Sequence, residues 1–178
     1  MIAGIRVFAV LAMVVLVVPA GAQAGNAART VDSAMTPLAW LVGEWRGQGT
    51  MQTPAGRQIA DVHERVESRL DGRVLVIEGT GRDASSGQVA HHAFGVLSYD
   101  PDARRYAMRA FREGRFVDAD TELNDGVFTW GFAVPGGRVR YHLRHEDGSW
   151  VETGEFSPDG ATWRQFFEMR LNRASADR

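Results

Sequence analysis

Apolar and polar side chains alternate with a period of two, in short runs, along most of the chain after residue 42. This period is typical of strands that bury one face. The runs predict an all-β fold, a single antiparallel meander of about ten strands over residues 41–174. Closure of the sheet into a barrel would remove its exposed edges. The runs are separated by dipeptides that favour two-residue hairpin turns, namely Asp71-Gly72, Asp125-Gly126, Gly136-Gly137, Asp147-Gly148 and Asp159-Gly160.

The predicted turns fix which residues face each other, because a two-residue turn sets the register of its hairpin. In these registers one face of the sheet is mostly apolar. The opposite face pairs residues of opposite charge, such as Arg65 with Glu78 and Arg140 with Glu155. The agreement between independent turns predicts one sheet that curls around an apolar interior. The predicted inward pairs are Val66–Ile77, Leu123–Phe128, Phe132–Tyr141, Trp130–Leu143, His145–Trp150, Leu143–Glu152, Tyr141–Gly154, Phe156–Trp163, Gly154–Gln165 and Glu152–Phe167.

Several polar residues fall on the inward face, where a purely apolar core would exclude them. They include Glu64, Tyr106, Tyr141, Glu152 and Gln165. A buried carboxylate must be paired, protonated or in contact with water. One interpretation is a cavity that holds a small, partly apolar ligand, since barrels of about eight or more strands can enclose one. The alternative is a filled core in which Glu152, Tyr141 and Gln165 form a structural hydrogen-bond network.

The first 24 residues have the pattern of a secretory signal peptide. A single positive charge at Arg6 precedes the apolar run 7–18, and small residues follow it. Cleavage after Ala24 or Ala22 fits the small-residue rule, and we expect a periplasmic or secreted bacterial protein with no membrane span in the mature chain. We predict a mobile lead-in followed by a short helical turn over residues 25–40, with Thr36 as its cap. Residues 175–178 are a tail.

Short motifs support a family resemblance. Gly43-x-Trp45-x-Gly47-x-Gly49 resembles the opening of lipocalins and other calycins, above all nitrobindins and a secreted lipocalin-like family of unknown function. The turn Tyr99-Asp100-Pro101 and the ending 166–173 are similar to that secreted family. The resemblance implies a calycin barrel whose base is closed by Arg173 packed over Trp45.

Composition excludes several kinds of chemistry. The chain has no Cys, and all 20 of its basic residues are Arg, so thiolate metal sites, Cys nucleophiles and Schiff-base lysines are ruled out. The formal net charge of −2 argues against a nucleic-acid partner. His142 and His145 would point to opposite faces of a strand, and Asp118 already faces Arg109, so we expect no metal site.

Haem and catalysis remain alternatives. The nitrobindin resemblance implies a haem on a His near the C-terminus, but residues 161–178 contain no His, so we expect no cofactor. Of the adjacent pair His91 and His92, one faces inward, and the sequence leaves open which. Glu64 and Glu152 would form a general acid–base pair if the protein were an enzyme.

The function that these observations favour is non-catalytic binding of a small apolar or amphipathic molecule inside the barrel. The ligand's identity and the oligomeric state are left open by the sequence. The expected ligand-binding residues are Trp45, Glu64, Tyr106, Phe128, Trp130, Tyr141, Trp150, Glu152, Trp163, Gln165 and Phe167.

Overall fold

The computed structural model of the chain describes residues 20–175, with the side chains of 20–24 and 26 left out. A helix α1 (Ala20–Met35) and a 3-10 helix (Thr36–Leu41) precede all the strands. A second 3-10 turn spans Leu70–Gly72. The strands are β1 (Gly43–Thr53), β2 (Gly56–Arg69), β3 (Val74–Asp83), β4 (Val89–Asp100), β5 (Arg105–Arg112), β6 (Arg115–Asn124), β7 (Val127–Val134), β8 (Gly137–Glu146), β9 (Ser149–Ser157) and β10 (Arg164–Arg173).

The ten strands form one closed antiparallel barrel, which confirms the predicted fold. Each strand pairs with its neighbours in sequence, and β1 pairs with β10 to close the sheet, beginning with Trp45 opposite Arg173. Closure leaves no strand edge open to another chain. One face of the sheet consequently lines an interior and the other meets solvent.

Most predicted hairpin registers are confirmed. Val66 faces Ile77, and His145 faces Trp150. The β6–β7 turn at Asp125-Gly126 has positive φ angles at both residues, as its predicted type requires. On the outer face, the Arg109 guanidinium binds both carboxylate oxygens of its partner Asp118, at 2.6 and 2.8 Å.

The predicted register of β7 with β8 was wrong by two residues. Trp130 faces Tyr141 instead of Leu143, because the two residues between the strands are Pro135 and Gly136. The shift is even, so every side chain of the hairpin stays on the face that was predicted for it.

The predicted register of β9 with β10 was also wrong: Trp163 and Gln165 move to the outer face, and Arg164, expected opposite Glu155, lies opposite the inward Phe156. A six-residue loop, 158–163, joins these strands in place of a two-residue turn. The Asp159 carboxylate organises it by accepting bonds from the backbone N–H groups of Ala161 and Thr162 at 2.9 and 2.8 Å. A bulge between Gln165 and Phe167 then restores the inward orientation of the later residues of β10.

The helical segment closes one end of the barrel. Leu38 and Leu41 of the 3-10 helix are 1% and 0% exposed, because they insert into the apolar end of the interior. The Trp45 indole N–H donates to the Leu41 carbonyl at 2.7 Å. The Tyr106 hydroxyl donates to the Ala34 carbonyl at 2.6 Å, which ties β5 to α1. We call this end the base and the opposite end the mouth.

The N-terminal segment differs from its prediction in two respects. Residues 25–35, expected to be a lead-in without regular structure, belong to helix α1. Thr36 does not cap the 3-10 helix, since its hydroxyl donates to the Asp32 carbonyl of the preceding turn at 2.7 Å. The predicted signal peptide falls mostly on residues 1–19, outside the described residues, and α1 begins before both candidate cleavage positions.

Candidate ligand cavity

A cavity of about 400 Å³ occupies the interior between the base and the mouth. Its wall is mostly apolar, and small residues on several strands leave the space open. Gly49, Gly79, Gly81 and Ala110 are four of these. The larger lining side chains are Met51, Val62, Glu64, Ile77, His91, Phe94, Met108, Arg112, Trp130, Tyr141, Leu143, Trp150, Glu152, Phe167 and Met169.

Glu152 on β9 lies deep in this wall and is 7% exposed. The Trp130 indole N–H donates to its Oε1 at 3.3 Å. The Trp150 indole N–H, buried with no complete hydrogen bond, acts on the same carboxyl in the same direction. Burial outweighs both donors and raises the pKa of Glu152 to about 7. The group therefore titrates near neutral pH.

Glu64 on β2 is the second inward carboxyl. Its head fills the space beside Gly79 on β3, where an added Cβ would overlap both carboxylate oxygens. Burial raises the pKa of Glu64 to about 8, and the negative charge of Glu152 contributes in the same direction. The two carboxyls therefore share one electrostatic environment inside the cavity.

Aromatic rings form the wall beside the carboxyls. Trp130 and Tyr141 stack with ring centres 4.5 Å apart and planes at 18°. Phe167 meets Tyr141 edge to face at 6.1 Å. Gly154 leaves room for the Tyr141 ring, since a Cβ there would lie 2.8 Å from the ring. Burial and the charge of Glu152 raise the pKa of Tyr141 to about 12, so its hydroxyl stays protonated.

Positive groups lie at the mouth. Arg112, the last residue of β5, lines the cavity, and its charge acts on both Tyr141 and His91. His91 is the inward member of the histidine pair, since His92 faces outward and meets Glu78 at 3.3 Å. Desolvation, followed by the charge of Arg112, lowers the pKa of His91. The entrance thus carries the Arg112 cation beside a His91 ring whose neutral form is favoured.

The expected ligand-binding residues fall into three places. Nine of them face inward, and two lie on the outer face. Those lining the cavity are Glu64, Trp130, Tyr141, Trp150, Glu152 and Phe167. Those packed in the base, away from the cavity, are Trp45, Tyr106 and Phe128.

The predicted inward orientation of Trp163 and Gln165 was wrong. The Arg140 guanidinium stacks over the Trp163 ring on the outer face, at 4.0 Å from the ring centre. Gln165 is paired with Glu155 and is exposed. The long β9–β10 loop and the bulge cause both changes. A network joining Gln165 to Glu152 and Tyr141 is therefore absent.

The base carries the contact that the calycin resemblance implies. The Arg173 guanidinium lies 4.2 Å from the centre of the Trp45 ring and donates to the carbonyls of Val42 and Trp40. Gly43 has a φ of +134°, and a Cβ there would overlap the Arg173 guanidinium. The first glycine of the motif therefore makes room for this cation.

Sequence reasoning missed several cavity residues near the mouth. Arg112 and Met108 share the strand parity of Tyr106, so the predicted register of β5 already placed them inward. The signal that would have found Arg112 is a charged residue on the inward face at a strand end. Asp83 also lines the mouth, where Ser85 and Ser86 donate to its carboxylate and lower its pKa to about 2.

The described residues were also expected to hold no metal and no haem. Within residues 20–175, no three His, Asp or Glu side chains converge in a way that could hold a metal ion. The inward residues of β10 that approach the base are Phe167, Met169 and Leu171, so this strand does not fit a haem held by a C-terminal His. None of the described helices is long and apolar enough to cross a membrane.

Comparison with known proteins shows the fold alone. No family model and no curated protein sequence matches the chain. The solved structure of Rv2717c from M. tuberculosis is similar with a TM-score of 0.60 at 13% identity, covering 80% of this chain and 98% of that one. The S-type phycobiliprotein lyase CPES from Guillardia theta is similar with a TM-score of 0.59 at 10% identity, covering 86% and 98%. The chain thus shares a ten-stranded, calycin-like barrel with both proteins.

Proposed function

We propose that this protein binds a small apolar or amphipathic molecule inside its barrel, outside the cytoplasm and without catalysing a reaction. The cavity of about 400 Å³, with its apolar wall and a few inward polar groups, carries this proposal. Such a combination is characteristic of small-molecule sites. The Gly43-x-Trp45 opening and the Arg173 contact also support membership in the secreted lipocalin-like calycins.

The polar groups of the cavity favour a bound molecule over a filled core. No protein group within the described residues forms a hydrogen bond with the Glu64 carboxyl or the Tyr141 hydroxyl, and the buried Trp150 N–H has no partner. Buried polar groups are nearly always hydrogen-bonded. A ligand with a polar end, or water in the cavity, would supply the missing partners.

The first test uses the protein purified from the periplasm. We expect native mass spectrometry to show a co-purified mass, and an absorbance scan to report its chromophore if it has one. A chain without added mass then goes to titration with N-phenyl-1-naphthylamine, a neutral apolar fluorescent probe.

A pair of variants of β5 locates the binding. Ala110 lines the cavity, whereas Ala107 on the same strand is exposed on the outer face. Ala110→Phe is expected to weaken probe binding about tenfold or more by filling the cavity, and Ala107→Phe to leave it unchanged. Equal affinity in both variants would contradict binding inside the barrel.

The carboxyl pair supports a second candidate, an enzyme that uses Glu64 and Glu152 as acid and base. Both face the cavity, and their pKa values of about 8 and about 7 suit proton transfer near neutral pH. One of the similar structures is named a lyase, so the fold does not exclude catalysis. A screened activity should disappear in both Glu64→Gln and Glu152→Gln; activity that survives both changes would remove this candidate.

Export rests on the sequence of the first 24 residues. N-terminal sequencing of the protein from the periplasm is expected to begin at Gly25 or Gln23. Recovery of the uncleaved chain in the cytoplasm would contradict the signal peptide.

A further inference from the structure

The two acids of the cavity have no positive partner in the protein. Among the described residues, no Arg or His forms an ion pair with Glu64 or Glu152, and the hydrogen-bond partner of Glu152 is the neutral Trp130. In the part of the chain that the structure describes, the positive group that lines the cavity is Arg112 at the mouth, where it meets Glu113 at 3.2 Å. No Arg or His charge among the described residues therefore offsets the burial that keeps these two acids partly protonated.

Aromatic faces lie next to these acids. Trp130 donates to Glu152 and stacks on Tyr141 at the same time, and Phe167 lies against Tyr141. Ring faces attract cations, and the attraction increases where water is excluded. A positive nitrogen beside Glu152 would therefore also meet aromatic rings.

Two indole N–H groups beside Glu152 favour its ionised form, although burial outweighs them and raises the pKa of this carboxyl to about 7. The Trp130 N–H donates to its Oε1 at 3.3 Å, and the Trp150 N–H is buried and completes no hydrogen bond. Donors of this kind favour a carboxylate over a carboxylic acid. A cation beside Glu152 would compensate for the burial of its charge.

We propose that the cavity selects an organic cation, a ring-bearing molecule whose protonated nitrogen lies between Glu64 and Glu152 and whose apolar body contacts Trp130, Tyr141 and Phe167. This inference rests on the proposed function, since it names the class of molecule that the cavity binds. An anionic group would meet two acids in the interior and could be accommodated only beside Arg112 at the mouth.

Proton release is a direct consequence. In the empty cavity at pH 7, Glu64 is mostly protonated and Glu152 is partly protonated. A bound ammonium favours the carboxylate forms, so each proton lost from a carboxyl passes to the buffer as the ion pair forms. The observed binding enthalpy then depends on the ionisation enthalpy of the buffer. A neutral ligand of the same shape releases no proton.

Three probes of one shape and different charge test the proposal. Tryptamine carries the cation, 3-propylindole is its neutral counterpart, and indole-3-propionate is the anion. We expect isothermal titration calorimetry at pH 7 to give tryptamine an affinity at least about tenfold higher than 3-propylindole and about a hundredfold higher than indole-3-propionate. Tryptamine should show a difference between phosphate and Tris buffers, and 3-propylindole should show none.

Substitution of the acids assigns the effect to the cavity. Glu64→Gln and Glu152→Gln are expected to weaken tryptamine about tenfold and to change 3-propylindole by less than about twofold. Glu78→Gln is the matched control, because this carboxyl is exposed on the outer face beside His92. If Glu152→Gln fails to fold, Glu64→Gln and the buffer dependence of the unmodified protein still decide the question.

The outcomes separate this inference from the proposed function. Tighter binding of 3-propylindole or indole-3-propionate than of tryptamine would overturn the cation while leaving a binding cavity. The same conclusion follows if none of the three binds but N-phenyl-1-naphthylamine does, with the Ala110→Phe dependence described above. If no probe binds, both the inference and the proposed function fail.

Discussion

At the scale of residues, the buried carboxyls of Glu64 and Glu152 are the side chains that most clearly indicate a binding function for the barrel interior. Two carboxyls are unfavourable in a core that serves stability alone. Each is costly to bury, and each raises the cost of ionising the other. Burial brings their pKa values to about 8 and about 7. Their protonation is thus sensitive to any charge that enters the cavity.

These carboxyls give a stability that falls as the pH rises. The pKa of Glu64 is higher in the folded chain than its ordinary value of 4.5, so the folded state binds the proton more tightly. The stabilisation is complete below pH 4.5 and is lost progressively as the pH rises to about 8. Glutamine at this position mimics the protonated acid at every pH.

We therefore expect Glu64→Gln to match the unmodified protein closely at pH 4.5 and to exceed its free energy of unfolding by on the order of 4 kcal/mol at pH 8. Urea unfolding at a series of pH values measures this difference. Glu78→Gln, on the outer face, provides the control. A constant difference across the pH range would show that the Glu64 carboxyl titrates normally in the folded chain.

At the scale of elements, the seam between β1 and β10 depends on the glycines of β1. A Cβ on Gly47 would overlap the Arg170 carbonyl oxygen of β10, which is backbone and cannot turn aside. On Gly49, two residues along the same face, a Cβ would lie 3.4 Å from the nearest side-chain atoms of Phe167 and Val62. The motif therefore contains one glycine required for closure and another that mainly leaves space.

Gly47→Ala is expected to lower the free energy of unfolding by about 2–3 kcal/mol, since the seam must open to accept the methyl group. Gly49→Ala is expected to cost less than about 1 kcal/mol. Chemical denaturation of the two variants measures both values. If the two variants lose the same free energy of unfolding, the close approach of β10 does not require a glycine at position 47.

The N-terminal helices act as a second element of closure. Leu38 is fully buried in the base, and Trp40 packs edge to face on Trp45 and Trp150 at 5.9 and 6.1 Å. We expect Leu38→Ala to cost about 3 kcal/mol, because it leaves a void between the helix and the barrel. Thermal unfolding measures the loss. A change below about 0.5 kcal/mol would show that the N-terminal helices contribute little to the stability of the barrel.

At the scale of the whole molecule, closure makes every strand depend on two neighbours. The first strand pairs with the last, so no part of the sheet can leave without opening a seam. The outer ion pairs, such as Arg109 with Asp118, are solvent-exposed and contribute little individually. Stability therefore comes mainly from the shared interior.

We expect a single cooperative transition in urea. Tryptophan fluorescence, which reports on the base and the cavity wall, and far-ultraviolet circular dichroism, which reports on the strands, should give the same midpoint. A fluorescence transition at a lower urea concentration would show that the N-terminal helices separate from the barrel before the sheet unfolds.

The sequence alone determined the fold and much of the interior. Period-two alternation and Gly-containing turns specify strands and registers locally, and the alternation assigns each side chain to a face. For this reason Glu64, Tyr141, Glu152 and Phe167 were placed inward correctly, and an error of two residues in the β7–β8 register moved none of them to the other face.

Only the tertiary structure decided what the interior does with these residues. The Asp159 loop and the β10 bulge place Trp163 and Gln165 on the outer face. A shift of one residue changes the face of a side chain, and the alternation of apolar and polar residues does not indicate such a shift. The helix that fills the base assigned Tyr106 to a tether on Ala34 instead of the cavity. Depth along the barrel axis depends on how distant segments pack, and that information is absent from any local pattern.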